Sequence, residues 1–225
     1  MDIAKWEPDI NDLAFGRALM IVEDYSKTVQ VYSRDNIHFC ALVYSILSLR
    51  EKFDMNREQF YEMLRNDLNT AEKVLRNEGL VQKILSHHGL GEKKVKSILS
   101  AAHAWDGLDI TARMREDTEY EKGSEFREEI VKTVYGVGYK FASLFIRMSG
   151  YENIVPVDTW AIKYVESRGF HDRYAHSGLS KRQYLAYEKQ LIRHAKRLGV
   201  SPALLQATIY TTWSTWKKDS KIVPG

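Results

Sequence analysis

The chain reads as all-α, and three observations predict it. Its 225 residues include only four prolines and thirteen glycines. Alternating β-branched runs are scarce, so strands of period two find little support. Apolar residues instead recur at three- and four-residue spacing through most of the chain. The length fits one large domain or two small lobes sharing a cleft, and a hydrophobic share of 44% can fill a core without cross-links.

In chain order, Leu13, Ala14, Leu19, Met20 and Val22 predict a first helix or helix pair from Asn11 to about Tyr32. Residues 36–49, "NIHFCALVYSILSL", are apolar nearly all round, the pattern of a central buried helix. Asn56 is placed to cap a helix that carries Phe60, Met63 and Leu64 on one face. In "AEKVLRNEGLVQKILSHHGLG", Gly79 is expected to separate two short helices, with Gly89 and Gly91 stopping the second. "EKKVKSILSAAHAW" sets Val95, Ile98, Leu99 and Ala102 on one face, and Lys93, Lys94 and Lys96 form either a phosphate patch or the wet face. "DGLDITARMREDTEYEKGS" is polar and is expected to connect the lobes. Helices are expected over 125–135, opened by Ser124, and over 139–149, closed by Gly150. "YENIVPVD" is extended around Pro156. A helix then ends at Gly169, another runs from an N-cap at Ser180 to Gly199, and the last has Pro202 in its first turn.

Charge and cysteine content narrow the function. Lys and Arg number 33 against 30 Asp and Glu, a net charge of +3, so a nucleic-acid surface has to be a local patch. No 18-residue apolar run is present and "MDIAKWEPDI" lacks a basic-then-apolar leader pattern, so no membrane partner is expected. The single cysteine, Cys40, sits in an apolar run and reads as a buried, inert thiol. It excludes an intrachain disulfide and a cysteine-ligated cluster or zinc site, and it suits a reducing intracellular compartment, cytoplasmic or nucleoid-associated. No metal and no cofactor is expected; the adjacent His87 and His88 make a poor ligand pair.

The stretch that carries chemistry is "VYGVGYKFASLF", residues 134–145. Gly136 and Gly138 let the backbone turn sharply and let a large anion approach without Cβ contact. Amides at a helix N-terminus suit a phosphate. Val137 can plug back between the two helices. Lys140 lies on the first turn of the second helix, and Asp158 follows eighteen residues later, past the extended link. Taken alone, the glycine pair also fits a plain helix stop followed by a new helix, and Asp158 also fits an N-cap of helix 159–168.

Together, "YGVGYKFASLFIRMSGYENIVPVDTWAIKYV" resembles the helix–hairpin–helix (HhH-GPD) DNA glycosylase superfamily, the group of endonuclease III and the 8-oxoguanine glycosylases. The shared elements are a glycine hairpin, a lysine opening the next helix in bifunctional members, and a Val-Asp beyond a short extended link. The resemblance implies an all-α, two-lobe fold, with residues 1–225 as one glycosylase unit and the helix–hairpin–helix at about 124–150. It implies a lesion pocket between the lobes and a target base flipped out of double-stranded DNA. Lys140 would be the nucleophile that attacks C1′ and forms a Schiff base, Asp158 the essential carboxylate near the sugar, and Gly136, Val137 and Gly138 the phosphate anchor. These residue types suit the chemistry. Amine attack needs a neutral nitrogen, and breaking an N-glycosidic bond builds positive charge that a carboxylate offsets.

Many relatives carry a four-cysteine iron–sulfur loop; with Cys40 alone, the fold is expected without an iron–sulfur cluster. "LSKRQYLAYEKQL" and "TWKKDSKIV" further resemble the compact second class of 8-oxoguanine glycosylase, found largely in archaea. That implies 8-oxoguanine as the lesion, strand cleavage by β-elimination, and a monomer. For base binding it implies a stacking tryptophan, Trp216 with Trp213 next, and Lys221 in place of the lysine that ends the chain in that class. This chain departs from the class by ending in Pro224-Gly225 and by carrying Leu90 where the class has an aromatic. Two alternatives stand beside this reading: a glycosylase for a deaminated, mismatched or alkylated base, and a non-catalytic helix–hairpin–helix DNA-binding module. Lys140 with Asp158 argues against the module, because phosphate anchoring needs neither.

Overall fold

The structure, a computed structural model, describes residues 5–23, 34–48, 53–86, 90–113, 120–170 and 178–214. Among these residues the regular elements are helices, with no strand. In chain order they are α1 (Ile10–Glu23), α2 (Arg34–Leu47), α3 (Phe53–Arg65), α4 (Ala71–Arg76), α5 (Glu78–Leu85) and α6 (Gly91–Ala104). A 3₁₀ turn (Asp106–Leu108) precedes α7 (Ile110–Arg113), α8 (Tyr120–Thr133), α9 (Tyr139–Met148), α10 (Thr159–Glu166), α11 (Lys181–Leu198) and α12 (Pro202–Trp213). They form two compact units: Asp24–Tyr151, and Met1–Glu23 together with Glu152–Gly225.

In the unit Asp24–Tyr151, α2 is the central helix, packed by α3, α6, α7 and α9. Its apolar side chains, from Ile37 and Phe39 to Ile46 and Leu47, are buried on every side, as the all-round pattern requires. Phe39 meets Trp105 edge-on at 5.0 Å, and Tyr44 meets Phe60 at 5.5 Å. Cys40 is buried there, and burial pushes its thiol up to about 12, so it stays protonated and inert at neutral pH.

Several local expectations are corrected. Asn56 does not cap α3; the helix starts at Phe53 and Asn56 is buried inside it. Gly79 does not divide α4 from α5. The break falls at Asn77, which leaves helical backbone and bonds the Lys73 carbonyl through its own side chain at 2.8 Å. Gly91 opens α6 rather than ending α5, and a Cβ there would collide with the Leu85 carbonyl. The glycine is needed for close packing, not for a chain stop. The polar stretch 106–124 does not connect the units. Its described residues, 106–113 and 120–124, lie inside one of them, with Leu108 and Ile110 turned inward, and α8 begins at Tyr120, ahead of Ser124. The boundary falls between Tyr151 and Glu152, at the extended segment.

In the other unit, α1 packs along α12, and α10 and α11 pack against α12 and each other. Gly16 makes the first contact possible, since a Cβ there would run into Thr208. Trp6 meets Tyr164 and Trp213 edge-on, each at 5.9 Å, and its indole N–H donates to Asp12 at 3.0 Å. The predicted ends of α11 hold: Ser180 and Gln183 form a reciprocal cap, and Gly199 closes the helix with φ 67°. Ser201 caps α12, with Pro202 at its first turn. No helix among the described residues is long and apolar enough to cross a membrane.

Candidate active site

The glycine hairpin lies in the unit Asp24–Tyr151. After α8, the Val137 amide donates to the Val134 carbonyl at 3.3 Å, and the Val137 side chain is buried as the apolar plug. The two glycines do different work. Gly136 has φ 74°, a left-handed backbone that disfavours a Cβ, and a Cβ there would lie 2.5 Å from Ser97 Oγ. Gly138 is the N-cap of α9 with φ −98°, and a Cβ there would meet nothing within 4 Å. The fold therefore does not need glycine at 138. No side chain caps α9, so its N-terminus stays open to a bulky anion.

Polar clamps hold the hairpin in shape. Arg127 is wholly buried on α8; it donates to Ser143 Oγ at 3.1 Å and Ser124 Oγ at 3.3 Å, and its guanidinium lies 5.6 Å from the Tyr139 ring centre. Tyr139 donates its hydroxyl to Glu128 at 2.6 Å. These contacts tie α8 to α9, and α6 supports the turn through Ser100 Oγ, which accepts the Tyr135 amide at 2.8 Å. Lys140, the second residue of α9, is half-buried with Nζ 5.4 Å from the Phe141 ring centre.

Asp158 belongs to the other unit. The extended link before it is buried at Ile154, Val155 and Val157 and is held from α11. The Tyr184 hydroxyl donates to the Val155 carbonyl and accepts the Val157 amide, both at 3.0 Å. The Val155 amide donates to the buried Glu188 carboxylate at 3.3 Å. Asp158 itself is 9% exposed. Its Oδ1 accepts the Ala161 amide at 2.8 Å, which makes it the N-cap of α10, and its Oδ2 accepts from Gln206 Nε2 at 3.1 Å. Capping and orientation by a second partner fix the carboxylate in one geometry. Gln206 was missed in the sequence; its only signal was a polar residue amid the apolar "LLQATIY".

Of the residues expected to bind the base, Trp213 is half-buried on α12, between contacts to Trp6 at 5.9 Å and Trp160 at 6.5 Å. Trp216 and Lys221 lie outside the described residues, as do the pair His87 and His88 and the expected helix stop at Gly89. Leu90 opens α6 in left-handed backbone, φ 60°, and is exposed. The three α6 lysines do not form a shared patch. Lys94 is wholly buried and bonds Gln59 at 3.0 Å, Lys96 pairs with Glu92 at 2.7 Å, and Lys93 is exposed. Among the described residues, no three His, Cys, Asp or Glu side chains converge as metal ligands. The hairpin and Lys140 thus share one unit, while Asp158, Gln206 and Trp213 share the other.

A family model described as 8-oxoguanine DNA glycosylase matches residues 20–200. The chain belongs to the 8-oxoguanine DNA glycosylase family. A relative from Sulfolobus acidocaldarius named 8-oxoguanine DNA glycosylase/AP lyase is 29% identical over 176 residues, 78% of this chain and 81% of the relative. The fold is that of solved glycosylases. The Methanocaldococcus jannaschii 8-oxoguanine glycosylase/lyase, in complex with a 15mer DNA containing 8-oxoguanine, superposes with a TM-score of 0.72 at 20% identity, covering 92% of this chain and 91% of that one. The 8-oxoguanine DNA glycosylase of Thermotoga maritima gives 0.71 at 19% identity, over 88% and 90% of the two chains.

Proposed function

We propose that this protein excises 8-oxoguanine from double-stranded DNA and then cuts the strand as an AP lyase. The observation that carries the reading is the start of α9: an uncapped helix N-terminus behind a glycine hairpin, with Lys140 in the first turn, in a chain of this family. The Sulfolobus acidocaldarius relative carries both activities in its name, and the Methanocaldococcus jannaschii neighbour holds DNA with this lesion.

The steps follow from the residue types. The uncapped amides at Gly138 and the start of α9 take a backbone phosphate. Lys140 Nζ attacks C1′ of the damaged nucleotide through its lone pair, and the C1′–N9 bond breaks with its electron pair leaving on the base, which takes up the proton that the attacking amine gives up. Positive charge grows on the sugar as that bond breaks, and Asp158, oriented by Ala161 and Gln206, offsets it. Opening of the sugar ring gives an imine between Nζ and C1′. Loss of a C2′ proton then expels the 3′ phosphate, and water releases Lys140. Base recognition falls to the C-terminal aromatics, Trp213 and Trp216, with Lys221.

A panel of end-labelled duplexes tests the reading, each with one lesion: 8-oxoguanine, uracil, hypoxanthine or an alkylated purine. Each is incubated with protein and run with and without alkali. The expected result is a cut at 8-oxoguanine that needs no alkali. A cut at another lesion in preference would transfer the substrate, and intact strands throughout would overturn the reading.

A further inference from the structure

We infer that Lys93 is an additional DNA-phosphate contact, held by α6 beside the glycine hairpin; the inference rests on the function proposed above. Lys93, Ser97 and Ser100 stand at i, i+4 and i+7, one face of α6. That face meets the hairpin at three points. Ser100 Oγ accepts the Tyr135 amide at 2.8 Å. Ser97 Oγ lies so close to Gly136 that a Cβ on the glycine would sit 2.5 Å from it, and Lys93 Cε would sit 3.6 Å from the same Cβ. The lysine stem therefore runs alongside the turn whose far end is the open N-cap of α9.

Charge separates Lys93 from its neighbours. Lys94 is inside the unit and bonded to Gln59, and the Lys96 charge is matched by Glu92 one turn away. Lys93 is exposed and has no ion pair among the described residues. In a chain with a net charge of only +3, an unmatched cation beside an uncapped helix N-terminus concentrates positive potential where a backbone would pass. An ammonium on a flexible stem suits a phosphate, which asks for charge rather than for one direction of approach. It also adds what the amides lack, since a cation that neutralises a phosphate releases condensed counterions.

The test is the salt dependence of binding by the full chain to undamaged and 8-oxoguanine duplexes, for the wild type and for Lys93→Gln, Lys93→Arg and Lys96→Gln. Lys93→Gln is expected to reduce the slope of log K against log salt by about 0.9, the value of one phosphate contact on duplex DNA. It should weaken both duplexes by the same factor, because a phosphate contact carries no base information. Lys93→Arg should restore the slope, and Lys96→Gln should leave it at the wild-type value. A Lys93→Gln slope equal to wild type, in protein that still excises the lesion, overturns this inference and leaves the function standing. A wild type that neither binds nor cuts any lesion duplex overturns the function, and Lys93 with it.

Discussion

Asp158 holds the Ala161 amide with one carboxylate oxygen and Gln206 with the other. Its role as a cap and its role as a charge are therefore separable. Asp158→Asn keeps an oxygen for Ala161, and Gln206 can turn its amide to meet the new NH₂. Thermal stability is expected to change little, while base excision should fall by roughly 10²–10³, the usual cost of losing one stabilising group. Single-turnover excision beside a melting curve checks this, and near wild-type excision would leave Asp158 a helix cap only. His194 makes a second residue-scale test. Burial, then Arg197 and Arg168, hold its pKa below the usual 6.5. Below the unfolded value the unfolded chain binds more protons at this site, so stability should fall as pH drops through about 6.5. Urea midpoints at about pH 7.5 and 5.5 should drop further in the wild type than in His194→Gln; equal drops would remove His194 as a source.

At the scale of the element, the hairpin was legible because its signal is local: two glycines, one apolar plug and a lysine within five residues, 136–140. The division of labour between the glycines was not, because it depends on α6. Gly136→Ala should cost at least about 1–2 kcal/mol through its left-handed backbone, with the Ser97 contact adding to that. Gly138→Ala should melt like wild type, since the added methyl meets no protein atom within 4 Å, yet weaken lesion and undamaged DNA by similar factors if the proposed phosphate anchor lies there. Melting curves and duplex binding on both variants decide it, and an unimpaired Gly138→Ala would remove the anchor. The misread boundaries have one cause. Asn56 and Gly91 carry cap or stop signals that say nothing of neighbours in space, and at Gly91 the nearby Leu85 carbonyl dictates the residue.

At the scale of the whole molecule, periodicity made the helices legible but not their grouping. The N-terminal α1 joins the C-terminal helices through Gly16 against Thr208, a pairing nearly two hundred residues apart that one sequence does not announce. The polar stretch 106–124 read as a connector because its apolar anchors, such as the buried Leu108 and Ile110, are sparse in the sequence. Asp158 was legible from its place after the link; Tyr184, Glu188 and Gln206, which hold the link or the carboxylate, come from 27 to 48 residues away. Everything in the proposed chemistry converges on Lys140, so the most direct measurement is borohydride trapping on an 8-oxoguanine duplex, with the adduct mapped by peptide sequencing. The expected result is a stable protein–DNA adduct at Lys140, with Lys140→Gln binding the duplex and trapping nothing. Lys140→Arg should fail too, because a guanidinium stays protonated. Excision of the lesion with no adduct, or an adduct mapped to another amine such as Lys163, would contradict the assignment of Lys140 as nucleophile.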